Sequence, residues 1–240
     1  MLRTRVGYRA LGIWAVAFGA MAFMASTTFA ETGAHIWVVN NQGQLVELSV
    51  TGGAELDTTG VLLTKIAGVK VEFSCTAGSA IGLKTEANGT IGKGAKIRFT
   101  GCTTKLNGVL SSACEPRVGA EKGVITTNAG HGLVVLHKLG SGTIDPLVSV
   151  LPDVGETIVT LEMGEECSIG EKVPVIGKGT LKDCEGLFAS HLVKHLAEAG
   201  PLTELWVISK TVEHQAVIDG SAWVFLTGEH AGLKFSAEAS

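Results

Sequence analysis

His191 and His195, four residues apart, form the most specific-looking chemical pair in the chain. The spacing predicts one helical face carrying both imidazoles, an arrangement a zinc site can use. A His-Glu-x-x-His protease also needs glutamate at 192, and Leu192 stands there. A third ligand would have to come from Glu198 or a distant histidine. The pattern therefore reads as two histidines on a helix rim, with no metal ligand and no catalytic residue assigned.

Other reactive arrangements fail in the same way. A serine hydrolase presents its nucleophile on a strained turn, and neither Gly-x-Ser-x-Gly nor Ser-x-x-Lys occurs. Gly92-Lys93-Gly94 and Gly177-Lys178-Gly179 look like pieces of a phosphate loop. Such a loop needs glycine five residues earlier and Ser/Thr afterwards; Ala87 and Lys172 occupy the earlier places, and glycine follows each lysine. Glu162, Glu165 and Glu166 crowd before Cys167. Paired carboxylates serve glycoside hydrolysis, but sugar sites also want aromatic walls, which are scarce here. No calcium loop is present, and Asn88-Gly89-Thr90 is a glycosylation sequon. No cofactor is expected.

The cysteines point to structure. Cys75, Cys102, Cys114, Cys167 and Cys184 lack the paired C-x-x-C spacing of metal sites. In an oxidising compartment they predict disulfides. Five cysteines allow fifteen ways of making two bridges, and local spacing favours Cys102–Cys114 and Cys167–Cys184, with Cys75 as a free thiol.

These residues must sit on short strands. Val69, Val71, Phe73 and Cys75 alternate with polar neighbours, and Ile97 and Phe99 do the same. Further strands are expected at 35–39, 44–50, 123–127, 133–138, 157–163, 172–176, 204–213, 221–227 and 233–237. Asn40-Asn41-Gln42-Gly43, Asn88-Gly89, Asn107-Gly108, Gly140-Ser141-Gly142 and Asp219-Gly220 read as turns. The predicted fold is all-β, mainly an antiparallel sandwich or barrel, with one helix at 187–199 stopped by Gly200-Pro201. Residues 54–67 are expected to hold a second short helix. The chain reads as a signal (1–30) and one β-rich domain (31–240), with a two-lobe division near 150 as the alternative.

Residues 1–30 have the pattern of an export signal. Arg3, Arg5 and Arg9 precede an apolar run from Ala10 to Ala25, and Thr28-Phe29-Ala30 supplies small residues before a cut at Glu31. The apolar run has 16 residues, short of the roughly 20 that span a bilayer. Cleavage leaves 210 residues with 16 basic and 23 acidic side chains, a formal charge of −7. That balance gives no electrostatic footprint for nucleic acid, and no later stretch reaches transmembrane length.

Phe73-Ser-Cys75, Ile97-Arg-Phe-Thr-Gly-Cys102, Cys114, Gly123-Val-Ile-Thr-Thr127, Cys167 and Val175-Ile-Gly177 follow one another in a spaced order. The order resembles a loose set of exported bacterial proteins of unknown function and covers residues 70–180. The resemblance implies a secreted, β-rich, disulfide-containing protein and brings no activity, ligand or catalytic residue. The leading expectation is a non-catalytic envelope or extracellular protein acting by surface recognition of an envelope or extracellular component. The alternatives are a self-associating structural protein, joined through Cys75 or a sheet edge, and an exported hydrolase using His191 and His195. Glu31 is the expected mature N-terminus. N-terminal sequencing of protein recovered outside the cytoplasm checks this; retention of the three arginines would mark an anchor.

Overall fold

Alternating burial along a few long strands sets the architecture. In Val69–Ile81, Val71, Phe73 and Cys75 are buried while Lys70 is exposed and Glu72 is half-buried. Glu72 points outward and bonds Lys105 Nζ at 2.8 Å on the neighbouring strand. The lysine, aided by the Ser74 hydroxyl, holds the Glu72 carboxyl below its usual range. Apolar in and charged out is the reverse of a transmembrane barrel, whose lipid-facing side is apolar. Among the described residues no helix is long and apolar enough to cross a membrane.

The structure is a computed structural model and describes residues 34–40, 42–46, 49–85, 91–138, 144–197 and 203–239. The export signal, the sequon at Asn88, Asn41, Gly140-Ser141-Gly142, Glu198 and Gly200-Pro201 lie outside the described residues.

The all-β expectation holds, with every pairing antiparallel and the main sheet closed into a barrel. Around the ring, Val69–Ile81 pairs with Gly60–Ile66, which pairs with Val212–Asp219 and then Glu204–Ser209. Lys172–Lys182, Ile144–Pro152, Gly130–Lys138 and Ile91–Leu106 complete the circuit back to Val69–Ile81. A second trio, Val50–Leu56, Ser221–Leu226 and Ser190–His195, bridges the far halves of Val69–Ile81 and Lys172–Lys182. Leu45–Val46, Ala34–Val39 and Phe235–Ala239 form a separate three-stranded sheet.

Two long strands, Ile91–Leu106 and Lys172–Lys182, serve two apolar clusters, and Val69–Ile81 serves one of them. One cluster gathers Val71, Phe73, Leu161, Val173 and Val207. The other gathers Val38, Val50, Val148, Val193, Leu226 and Phe235. Inward parity changes on the way. Cys102 and Thr104 are buried in Ile91–Leu106, whereas Ile97 and Phe99 face inward lower down. The switch falls at Gly101, whose φ of +61° suits glycine and where a Cβ would collide with Thr76 Oγ1.

The helix expected at 187–199 is corrected. Ser190–His195 is a strand, with His191 and Val193 buried and Lys194 exposed. Its backbone is taken up by Ser221–Leu226 on one side and Leu181–Lys182 on the other, so the ladder overrides local helix propensity. The described helical pieces are two 3₁₀ turns, Ser112–Cys114 and Gly228–His230. Residues 54–67 are likewise strand, from Val50–Leu56 into Gly60–Ile66. The expected strand 204–213 is a hairpin, turning at Lys210 and Thr211 with φ of +48° and +70°.

The disulfide pairing is also corrected. Cys75 bonds Cys102, and Cys114 bonds Cys167; Cys184 is the free, buried thiol. Cys75 is therefore not free, and Cys102–Cys114 and Cys167–Cys184 do not form. Register explains it. Cys75 and Cys102 lie directly opposite each other on adjacent strands, with Cα atoms 4.0 Å apart. Cys102 gives its N–H to Gly123 on its other side, which leaves the closer, non-hydrogen-bonded type of pair. Cys114–Cys167 ties the first 3₁₀ turn to the loop after Thr157–Glu162. Replacing either pair by alanines is expected to lower stability by about 4 kcal/mol, given the lengths of loop closed. Peptide mapping of unreduced protein checks the pairing, and any Cys102–Cys114 crosslink would reject it.

Candidate functional site

The expected metal pair does not converge. In a strand, residues four apart share a face but stand about 13 Å apart along the chain. His191 is buried and donates from Nε2 to the Phe235 carbonyl at 2.8 Å, with its ring edge-on to Phe235 at 4.5 Å. That is a packed core histidine. His195 instead lines an internal cavity. Among the described residues no group of three or more His, Cys, Asp or Glu is placed to hold a metal ion.

The other motifs are dispersed. Glu165 and Glu166 are exposed, and Glu162 lies 3.9 Å from Lys172 on the surface. Gly92-Lys93-Gly94 opens a strand, and Gly177-Lys178-Gly179 lies within one, so neither begins a phosphate-binding helix. His131 meets Asp153 at 2.8 Å, and Asp153 Oδ2 accepts the Gly94 N–H at 2.7 Å. This pair pins a turn at the barrel wall.

What the strands do build is empty apolar space. Two adjoining chambers occupy the barrel interior, each of about 200 Å³. Both are bounded by Ala54, Ala80, Ile97, Leu181, Val193 and Val224. The first reaches Ile91, Val148 and Phe235; the second reaches Phe73, Leu161 and Ile218. Protein interiors are normally packed nearly void-free, and apolar cavities smaller than these stay dry and take up apolar molecules.

The space has a sequence origin. Ala54, Ala80, Gly179 and Ala222 line the chambers at positions where a barrel of this size would ordinarily carry larger side chains. Gly179 is buried beside Leu181 on the second chamber, and a Cβ added there would meet nothing within 4 Å. Sequence reasoning missed these residues. Gly and Ala inside alternating strands were the available signal, and they read equally well as turn or bulge positions.

Two reactive groups face the cavity. Cys184 lines the first chamber, only 6% exposed. Burial, then the charges of Glu185, Asp183 and Asp145, pushes its thiol up to about 12. His195 is half-buried as a residue, and the space it fronts is the second chamber. Its Nδ1 is buried without a hydrogen-bond partner. Burial holds its pKa down at about 4, against an opposing pull from Asp219.

The fold and site define the class: a closed antiparallel β-barrel with an apolar internal cavity and, among the described residues, no His/Cys/Asp/Glu group placed to hold a metal ion. Comparison with known families, curated proteins and solved structures returns no match.

The depressed His195 pKa makes stability acid-sensitive in a defined window. The unfolded chain takes up a proton near 6.5 and the folded one only near 4, so stability falls as pH drops from 6.5 to 4. His195→Leu should flatten that part of the curve. Denaturant midpoints of both proteins at several pH values check it, and parallel curves would contradict the assignment.

Proposed function

We propose that the protein is an exported, non-catalytic binding protein that encloses a small apolar molecule in its barrel. The pair of apolar chambers carries this reading. Burying apolar ligand surface is worth about 25 cal/mol per Å², and a preformed cavity costs little further ordering. Recognition thus takes place inside the scaffold rather than on its surface. Export is supported by the N-terminal pattern and by the two disulfides, which fit an oxidising compartment.

The alternatives have less support. A metal-assisted hydrolase loses its basis when His191 is occupied by the Phe235 carbonyl and His195 lies a strand's length away. Covalent self-association through Cys75 has no thiol to use. Barrel closure pairs the edges of the main sheet, while Leu45–Val46 and Phe235–Ala239 remain the outer strands of the separate three-stranded sheet.

Fluorescence titration with N-phenyl-1-naphthylamine tests the proposal. Saturable one-to-one enhancement is expected. Gly179→Leu, which fills the second chamber, should weaken binding about tenfold or more without lowering the melting temperature. Non-saturable signal, or binding indifferent to that substitution, would overturn the reading.

A further inference from the structure

The arrangement of the two chambers constrains the shape of what they enclose, and this step rests on the reading of the cavity as a binding site. The side chains common to both linings do not lie on one wall. Ala54, Ala80, Ile97, Leu181, Val193 and Val224 come from six different strands. Those strands belong to one closed circuit. Val50–Leu56 pairs with Val69–Ile81, which leads through Ile91–Leu106, Gly130–Lys138, Ile144–Pro152 and Lys172–Lys182. Ser190–His195 and Ser221–Leu226 then return it to Val50–Leu56. The shared residues therefore form a belt around the barrel axis, with one chamber on either side of it. The first chamber runs from the belt to Val148 and Phe235 of one apolar cluster, the second to Phe73 and Leu161 of the other.

The belt has a low side. Ala80 stands directly opposite Ile97, and Ala54 directly opposite Val224. The two alanines also flank the opposed pair Glu55 and Ser79, so their methyl groups make one continuous notch between larger neighbours. Each chamber alone, at about 200 Å³, is near the roughly 150 Å³ of a cavity that takes one benzene-sized molecule. A molecule that fills both must be long, and it must pass the notch.

The walls also fix its chemistry, because they present almost nothing but carbon to the space. Neither lining includes Lys or Arg, and Glu55, the one carboxylate, is exposed. His131 is engaged by Asp153 and His191 by the Phe235 carbonyl, while Nδ1 of His195 has essentially no accessible surface. A charged head group drawn inside would be desolvated with no counter-ion, which is strongly disfavoured.

We propose that the barrel selects a single unbranched hydrocarbon chain that crosses the belt at Ala54 and Ala80 and occupies both chambers, and that these two alanines set the length it accepts. Each added methylene is stabilised only while it stays against carbon walls, so affinity follows chain length until both chambers are full. A larger side chain at either alanine closes the notch and leaves two short compartments.

Displacement of bound N-phenyl-1-naphthylamine at neutral pH by the n-alkanes from pentane to nonane tests this, with octanoate as the charged probe. Potency should rise about fourfold for each added carbon through nonane. Octanoate should be at least about tenfold less effective than octane. Ala80→Leu should abolish the gain beyond hexane while leaving pentane within about twofold of its original potency; Ala54→Leu provides a second variant if the first does not fold. A plateau at hexane in the unsubstituted protein, a length gain that survives both substitutions, or octanoate as the better competitor would each overturn the inference and leave the cavity reading intact. No saturable dye binding at all would overturn both.

Discussion

Ring closure through strands that outrun one apolar cluster is the constraint on which the rest of the molecule depends. A barrel must fill its interior with the side chains that alternate inward, or else enclose a void. Here the 13-residue and 16-residue strands share a long register, from Val71 opposite Leu106 to Ile81 opposite Lys96. Bulky residues fill two clusters, Phe73 and Leu161 in one and Leu226 and Phe235 in the other. Around the chambers the inward positions include Ala80, Ala54, Gly179 and Ala222. The cavity is thus the middle of the same alternation that forms the two packed clusters.

The cross-strand bridge and the parity switch act together at that boundary. Cys75–Cys102 clamps one strand pair at fixed register, and Gly101, directly before Cys102, lets the chain change face there. A one-residue slip would turn every inward side chain outward, so a covalent pin beside the switch secures both faces. The cost is a left-handed residue that only glycine adopts without strain.

Much of the fold was legible because the signal was period-2 alternation. Val71, Phe73 and Cys75, and separately Ile97 and Phe99, announced their inward faces. Asn107-Gly108 announced its turn, and both residues have positive φ. The misreadings were of another kind. His191-Leu-Val-Lys-His195 satisfies both a helical and an alternating template over so short a span, and partner strands decided between them. Lys210-Thr211 turns a hairpin without glycine or asparagine, so nothing local separated one strand from two. The disulfides followed register rather than proximity in sequence, and register is a property of the assembled sheet. The cavity was least legible, since an absent side chain leaves no positive mark in a sequence.

Cys184 occupies the apolar cluster remote from Cys75, Cys102, Cys114 and Cys167, which all belong to the other one. With its ionisation near 12, about one molecule in a hundred thousand carries the nucleophilic anion at pH 7. Sulfur exchange needs both an attacking anion and a reachable bridge. The native fold withholds both, so an odd number of sulfurs becomes harmless once folding is complete, and scrambling is confined to chains that have yet to close the ring.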